Sequence, residues 1–166
     1  MSTHINFIPI NIAVVTISDT RVLDNDKSGD VLEKRVIKSN HKLITREIVK
    51  DDFDKIYQLF QNLIKNKKID VIISTGGTGL TGRDITPEVM KTLFDKTIDG
   101  FGEMFRWLSY SKIGTSALQS RALAGVSNGT YIFCLPGSPS ACRDGWDQIL
   151  IHQLDIRHKP CNFVEI

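Results

Sequence analysis

Residues 71–88 read VIISTGGTGLTGRDITPE, and this stretch decides the fold. Val71 to Ile73 is a short, wholly apolar run, the composition of a strand buried on both faces. It passes directly into a loop, Ser74 to Arg83, that holds four of the chain's twelve glycines. Thr86, Pro87 and Glu88 then read as an N-cap, a first-turn proline and a carboxylate matched to the helix dipole, so a helix starts there and runs to about Phe94. A buried strand, a glycine loop and a helix in succession predict a parallel sheet with helical crossovers.

The flanking sequence repeats the alternation. On the amino side, Asn11 to Ser18 (NIAVVTIS) is a β-branched buried strand with Asp19 and Thr20 at its carboxyl end. After the polar stretch Asp24 to Gly29, Val31, Leu32, Val36 and Ile37 recur at helical spacing, with Ser28 as the candidate N-cap. Lys42 to Val49 reads as a strand, and Ile56, Leu59, Phe60, Leu63 and Ile64 mark the inner face of a second helix. On the carboxyl side, Gly100 to Ser109 and Thr115 to Leu123 read as helices. Tyr131 to Leu135 reads as a buried strand ending in Pro136-Gly137-Ser138-Pro139, followed by a helix carrying Trp146, Ile149, Leu150 and Leu154. The expectation is an α/β fold with a mostly parallel sheet, as one domain over residues 1–166, since no repeat, linker or low-complexity tract interrupts it.

Composition narrows the function. Lys and Arg number 21 against 19 Asp and Glu, a net charge of +2 that leaves no basic face for a nucleic acid backbone. The longest apolar run, Ile12 to Val15 extended through Ile17, falls far short of the roughly 20 residues of a membrane span. The first ten residues lack the pattern of a secretory signal, so a cytoplasmic location is expected. Cys134, Cys142 and Cys161 form no CxxC pair and are read as packing residues, as are Phe105, Trp107 and Leu108. His4, His41, His152 and His158 show no zinc-site spacing, and no tightly bound metal is expected.

In an open parallel sheet, ligands bind beyond the carboxyl ends of the strands. Ser18 and Asp19, Asp51, Thr75 to Asp84, and Pro136 to Ser138 all fall there. In Thr75-Gly76-Gly77-Thr78-Gly79, residues without Cβ let backbone amides approach an anion, and the following helix start adds positive potential. Gly77, Gly79 and Gly82 satisfy GxGxxG, a weak dinucleotide signal because it does not follow the first strand. A P-loop would need Lys and Ser or Thr where Arg83 and Asp84 stand. Asp84 and Asp51 together suit a nucleotide-bound Mg²⁺, which prefers a couple of carboxylates plus water and phosphate oxygens. The plainer alternatives are that the glycines only make a turn, that Asp51 and Ser138 only cap helices, and that Arg121 is a solvated surface group rather than an anion clamp.

These residues resemble one family taken together. Thr75-Gly-Gly-Thr-Gly79 with Arg83-Asp84 and Thr86-Pro87-Glu88, Ser18-Asp19, Asp26-Lys-Ser-Gly29, Gly100-Phe-Gly-Glu103, Ser120-Arg121 and Leu135-Pro-Gly-Ser138 are similar to the molybdenum cofactor biosynthesis family that includes MogA, MoaB and the G domain of gephyrin. Ile8-Pro9, Gly114-Thr-Ser116, Leu118-Gln-Ser-Arg121 and the ending Arg157 to Phe163 resemble the MoaB branch. The resemblance implies a three-layer α/β/α sandwich. It also implies a homo-oligomer, hexamer favoured and trimer possible, working with other proteins of the same pathway. The implied activity is adenylylation of molybdopterin by MgATP. Carried over by position, Asp84 and Asp51 match the catalytic, magnesium-associated aspartates. Thr75 to Gly79, Arg83 and Asp19 match the nucleotide phosphate region, and Ser18, Ser109, Ser120, Arg121, Pro136, Gly137 and Ser138 match the pterin region. Lys50 stands where the family has a proline, and Thr20 where it often has arginine. The alternative is a non-catalytic molybdopterin-binding hexamer acting as a scaffold.

Overall fold

The computed structural model describes residues 5–165. A six-stranded sheet has the order β2-β1-β3-β6-β5-β4, built from β1 (Asn11–Ile17), β2 (Lys42–Val49), β3 (Val71–Thr75), β4 (Lys96–Thr97), β5 (Leu123–Ser127) and β6 (Thr130–Leu135). The first four in that order are parallel, and β5 and β4 close the edge antiparallel. The helices are α1 (Lys27–Lys38), α2 (Phe53–Lys65), α3 (Thr86–Leu93), α4 (Asp99–Ile113) and α5 (Pro139–Gly145), the last continuing through a π turn, Trp146–Leu150.

Alternation along the strands produces three layers. Ile12, Val14, Val71, Ile73 and Phe133 face one side, where Leu32 and Val36 of α1, Phe101 and Phe105 of α4, and Trp146 and Leu150 pack on them. Ala13, Val15, Ile17, Ile72, Ile132 and Cys134 face the other, covered by Ile56, Phe60 and Ile64 of α2 and Val89 and Met90 of α3. The fold is therefore the α/β/α sandwich with a mostly parallel sheet that the sequence predicts. All four predicted strands form, within one or two residues of their expected ends.

Several local expectations are corrected. The N-cap of α1 is Asp26, whose carboxylate accepts from Gly29 N–H at 2.9 Å, rather than Ser28, whose hydroxyl donates to Gly137 O at 3.3 Å. Thr86 does not cap α3 but lies within it, its hydroxyl donating to Gly76 O at 3.0 Å and so tying the glycine loop to the helix. Gly114–Gln119 is a 3₁₀ turn and Leu123 begins β5, so no helix spans Thr115 to Leu123. The overlooked signal was Asn128-Gly129, both at positive φ, which turns β5 back into β6 as a hairpin. Trp107 is 73% exposed, not core, and Cys161 is also exposed. Ile37 points outward as well.

Candidate functional site

The carboxyl ends of β1, β3 and β6 open into a cleft of about 760 Å³. One wall is the loop Gly76 to Gly79 with Asp84, the floor is Ile17, Ser18 and Pro136 to Ser138, and the far wall is Phe105, Ser109 and Lys112 of α4 with Gln119 and Ser120. The loop leaves β3 by a sharp turn. Gly76 sits at φ +105°, and a Cβ there would lie 2.1 Å from Ile17 O. Gly77, at φ +64°, passes so close to Asp51 that a Cβ would stand 2.8 Å from its Oδ1. Side chains at these two positions would break the turn, so the turn itself requires both glycines.

The loop's amides are left free. Gly76 N–H bonds Leu135 O at 3.0 Å and Thr86 N–H bonds Gly77 O at 3.0 Å, anchoring both ends. Between these anchors, the amides of Gly77, Thr78 and Gly79 donate to no acceptor among the described residues, and all three residues line the cleft. Successive unpaired amides in a concave loop are a ready site for an anion. Gly82 takes no part, since nothing lies within 4 Å of where its Cβ would be. The third glycine of a dinucleotide fingerprint packs helix against strand, so the GxGxxG match has no structural counterpart.

Three carboxylates gather behind and beside this loop. Asp84 accepts at one oxygen, Oδ2, from Thr81 N–H at 3.0 Å and the Thr81 hydroxyl at 2.5 Å, leaving Oδ1 unengaged. Asp51 N–H donates to Asp19 Oδ1 at 3.3 Å, while the buried Asp51 Oδ1 has no hydrogen-bond partner among the described residues. Burial, then repulsion from Asp19 and Asp84, pushes the Asp51 carboxyl above the usual range, against the pull of Arg83. Arg83 is exposed and pairs with Asp19 at 3.2 Å. An orphaned buried oxygen among like charges is the arrangement that a cation relieves. Among the described residues no three His, Cys, Asp or Glu side chains could by themselves hold a metal ion. Two carboxylates suit a magnesium ion that arrives on a nucleotide and keeps water and phosphate ligands.

Not every predicted site residue faces the cleft. Asp19 and Asp51 lie behind the loop, with Asp19 in an adjoining groove beside Arg21, Glu47 and Lys50. Thr75 is fully buried and donates its hydroxyl to Pro136 O at 2.9 Å, so it braces β3 against β6. Arg121 does not line the cleft either. Its guanidinium donates to Gly79 O at 2.8 Å and Asp84 O at 2.6 Å, and it pairs with Glu88. It thereby draws together the carbonyls of Gly79 and Asp84, within the loop, outside the cleft. Ser18, Ser109, Ser120, Pro136, Gly137 and Ser138 do line it, although the Ser138 hydroxyl also caps α5, accepting from Ala141 N–H at 3.1 Å. Ser109, on the buried side of α4, returns its hydroxyl to Phe105 O at 2.8 Å. The sequence reading missed Arg21, Phe105 as a wall residue, Lys112, paired with Asp144, and Gln119. Phe105, Lys112 and Gln119 belong to α4 and the 3₁₀ turn after it, whose positions only the packing of α4 on the sheet reveals, while Arg21 follows β1 in the same loop as Ser18 and Asp19.

Comparison with known proteins identifies the family. The family described as "Probable molybdopterin binding domain" matches residues 13–156. Molybdenum cofactor biosynthesis protein B of Escherichia coli is 46% identical over 157 residues, covering 95% of this chain and 92% of that protein. A probable molybdopterin adenylyltransferase of Methanocaldococcus jannaschii is 41% identical over 141 residues, covering 81% of this chain and 83% of that one. A crystal structure of a molybdenum cofactor biosynthesis protein B superposes with a TM-score of 0.86 at 40% identity, covering 89% of this chain and 92% of that one. Matched over residues 13–156 by the family model and over nearly all of its length by these relatives, the chain belongs to the probable molybdopterin binding domain family of molybdenum cofactor biosynthesis proteins.

Proposed function

We propose that the protein adenylylates molybdopterin, using ATP. A terminal phosphate oxygen of the pterin attacks the α-phosphorus of ATP, the bond from that phosphorus to the β-phosphate bridging oxygen breaks, and pyrophosphate leaves with adenylyl-molybdopterin as the other product. The observation that carries this reading is the row of unpaired amides, Gly77 to Gly79, set between Asp84 and the orphaned oxygen of Asp51. The name of the Methanocaldococcus jannaschii relative supports it. Because the nucleophile is already an anion, the protein needs no general base, and its contribution is positioning and charge stabilisation. The loop amides would hold the nucleotide phosphates. Asp51 and Asp84 would hold the Mg²⁺ of MgATP, which supplies neutralisation of phosphate charge. Ser109, Ser120 and Pro136 to Ser138 offer polar partners to the pterin, with the nearly buried edge of Phe105 beside them.

The test is pyrophosphate release from MgATP by the purified protein with and without molybdopterin. Release that requires the pterin is the expected result. Pterin binding with no release would overturn the catalytic reading in favour of a scaffold. Arg121 supplies a finer check. Arg121→Gln frees the carbonyls of Gly79 and Asp84, and the KM for ATP should rise about tenfold, the effect of losing a charge-assisted hydrogen bond or two, with molybdopterin affinity unchanged. A loss confined to pterin affinity would return Arg121 to the pterin subsite.

We also propose a cytoplasmic homo-oligomer, a hexamer in preference to a trimer. None of the described helices is long and apolar enough to cross a membrane. Met104, Trp107, Tyr110 and Ile113 form an exposed stripe at intervals of three along α4, with Leu118 beyond it 82% exposed. Such a patch marks a protein contact in most folded chains. Trp107→Asp is expected to reduce the assembly to smaller species in sedimentation velocity, while the unchanged wild-type distribution would place the interface elsewhere.

A further inference from the structure

At the end of the sheet opposite the cleft, the end of α1, the start of β2 and the two terminal segments surround a cavity of about 600 Å³. His41, only 6% exposed, lines it. Its Nδ1 accepts from Ile10 N–H at 3.3 Å, and the rings of Phe7 and Trp146 hold it at 5.1 and 6.2 Å between centroids. An imidazole that accepts at Nδ1 carries its proton on Nε2 when neutral. Burial keeps it neutral, holding its pKa low against the attraction of Asp155. The Nε2–H finds no acceptor among the described residues and is open to the cavity.

The charges around this donor are unbalanced. Arg35 is bound at both ends of its fork to Asp147, at 2.8 and 2.7 Å. Arg157 is bound to Asp155, at 2.6 Å, and lies over the Phe7 ring at 5.1 Å. Lys34 and Lys38 also line the cavity and have no carboxylate partner among the described residues. Four cationic side chains against two carboxylates leave two positive charges in excess with His41 neutral. The negative end of the α1 dipole opposes this only in part, because the amides of Ser39, Asn40 and His41 occupy carbonyls of its last turn. The volume is that of a small-molecule site rather than a bare ion's, with Phe7, Trp146 and Ile151 supplying apolar wall.

We propose that this cavity is a second binding site, for a small phosphate monoester dianion, in which His41 Nε2–H and the ammonium groups of Lys34 and Lys38 hold the phosphate and the aromatic wall holds its organic body. The proposal does not depend on the activity proposed for the cleft. It is tested in the full chain at neutral pH by following the His41 ring signals and the amide signals of Ser39 and Asn40 by NMR during titration with inorganic phosphate and with phenyl phosphate. Both should give saturable shifts there, and phenyl phosphate should bind more tightly. His41→Asn keeps an acceptor near the place of Nδ1 for Ile10 but removes the Nε2 donor, and should weaken binding about tenfold. Lys34→Ala with Lys38→Ala, at exposed positions that fold independently of the charge, should weaken it by about tenfold or more at low salt. Absence of saturable shifts at His41 would overturn the proposal. So would loss of binding in the lysine variant with full retention in His41→Asn, which would indicate diffuse surface attraction.

Discussion

Asp84→Ala is expected to lower molybdopterin-dependent pyrophosphate release by about 10³-fold or more, while the melting temperature barely moves. Asp84 is half-exposed at the lip of the cleft, and the hydrogen bonds of its carboxylate are local, both from Thr81 to one oxygen, while the bond from Arg121 goes to its main-chain carbonyl. Removing it disturbs three residues of loop and no part of either core layer. In the transition state its free oxygen would help to hold the ion on the phosphates, a contribution of several kcal/mol, and each 1.36 kcal/mol is a factor of ten in rate. Asp51→Asn should lose activity on the same scale while raising the melting temperature. The folded state holds Asp51 above its ordinary pKa, through burial and the charges of Asp19 and Asp84, so its ionised form is a source of instability that the neutral amide removes. A gain in stability with a loss of turnover is the signature of strain kept for function. Activity within tenfold of wild type for Asp84→Ala would remove Asp84 from the site. The helix cap at this corner is Asp52, which accepts from Lys55 N–H at 3.0 Å, so a fall in melting temperature for Asp51→Asn would mean that the Asp51 carboxylate serves the fold in its ionised form rather than being kept there at a cost.

The difference between these aspartates also shows what was legible in the sequence. The four parallel strands and the glycine loop could be read because their signals are local: apolar, largely β-branched runs, and glycines clustered where a strand ends. The pairing of Asp51 with Gly77 was not local. It depends on β2 lying two strands from β3 and on Gly77 lacking a Cβ that would meet Asp51 at 2.8 Å. Arg121 illustrates the converse. Its position next to Ser120 was informative, but its role was not, because the sequence cannot show that a guanidinium 42 residues from Gly79 donates to that residue's carbonyl. The 3₁₀ turn before β5 misled for a simpler reason. Its Thr-Ser-Ala-Leu-Gln composition suits a helix, and only the Asn128-Gly129 hairpin beyond it forces Leu123 to Ser127 into the sheet. Trp107 departs from the expected core position because a large apolar residue on a helix is not obliged to face the sheet, and the helical spacing alone does not say which face of α4 does.

Asp26→Asn is expected to destabilise the fold by about 3 kcal/mol, the range seen when one partner of a buried ion pair is removed. For a chain of this length that is a fall of roughly 6–12 °C in melting temperature. Asp26 is 1% exposed and holds three elements of the structure together. It accepts from the Thr16 hydroxyl at the end of β1 at 2.7 Å, from Gly29 N–H in the first turn of α1 at 2.9 Å, and from Arg46 of β2 at 2.9 Å. Arg46 also spans Asp30 and Glu33, so its charge survives the substitution, but the buried end of the network loses its anion. Through Ser28, which donates to Gly137 O, the start of α1 is tied to the cleft floor. Burial alone would raise the Asp26 pKa, but the hydrogen bonds of Thr16, Gly29 and Arg46 outweigh it and hold the carboxyl below the ordinary range. A carboxyl depressed in the folded state contributes stability that is fully present above its unfolded pKa, about 4, and is lost as pH falls through the folded value. Chemical denaturation as a function of pH therefore separates this network from a simple packing defect. The wild-type protein should lose stability below about pH 4 more steeply than Asp26→Asn, and the gap between the two should narrow toward strong acid. Parallel curves over that window would show that the loss comes from shape rather than charge.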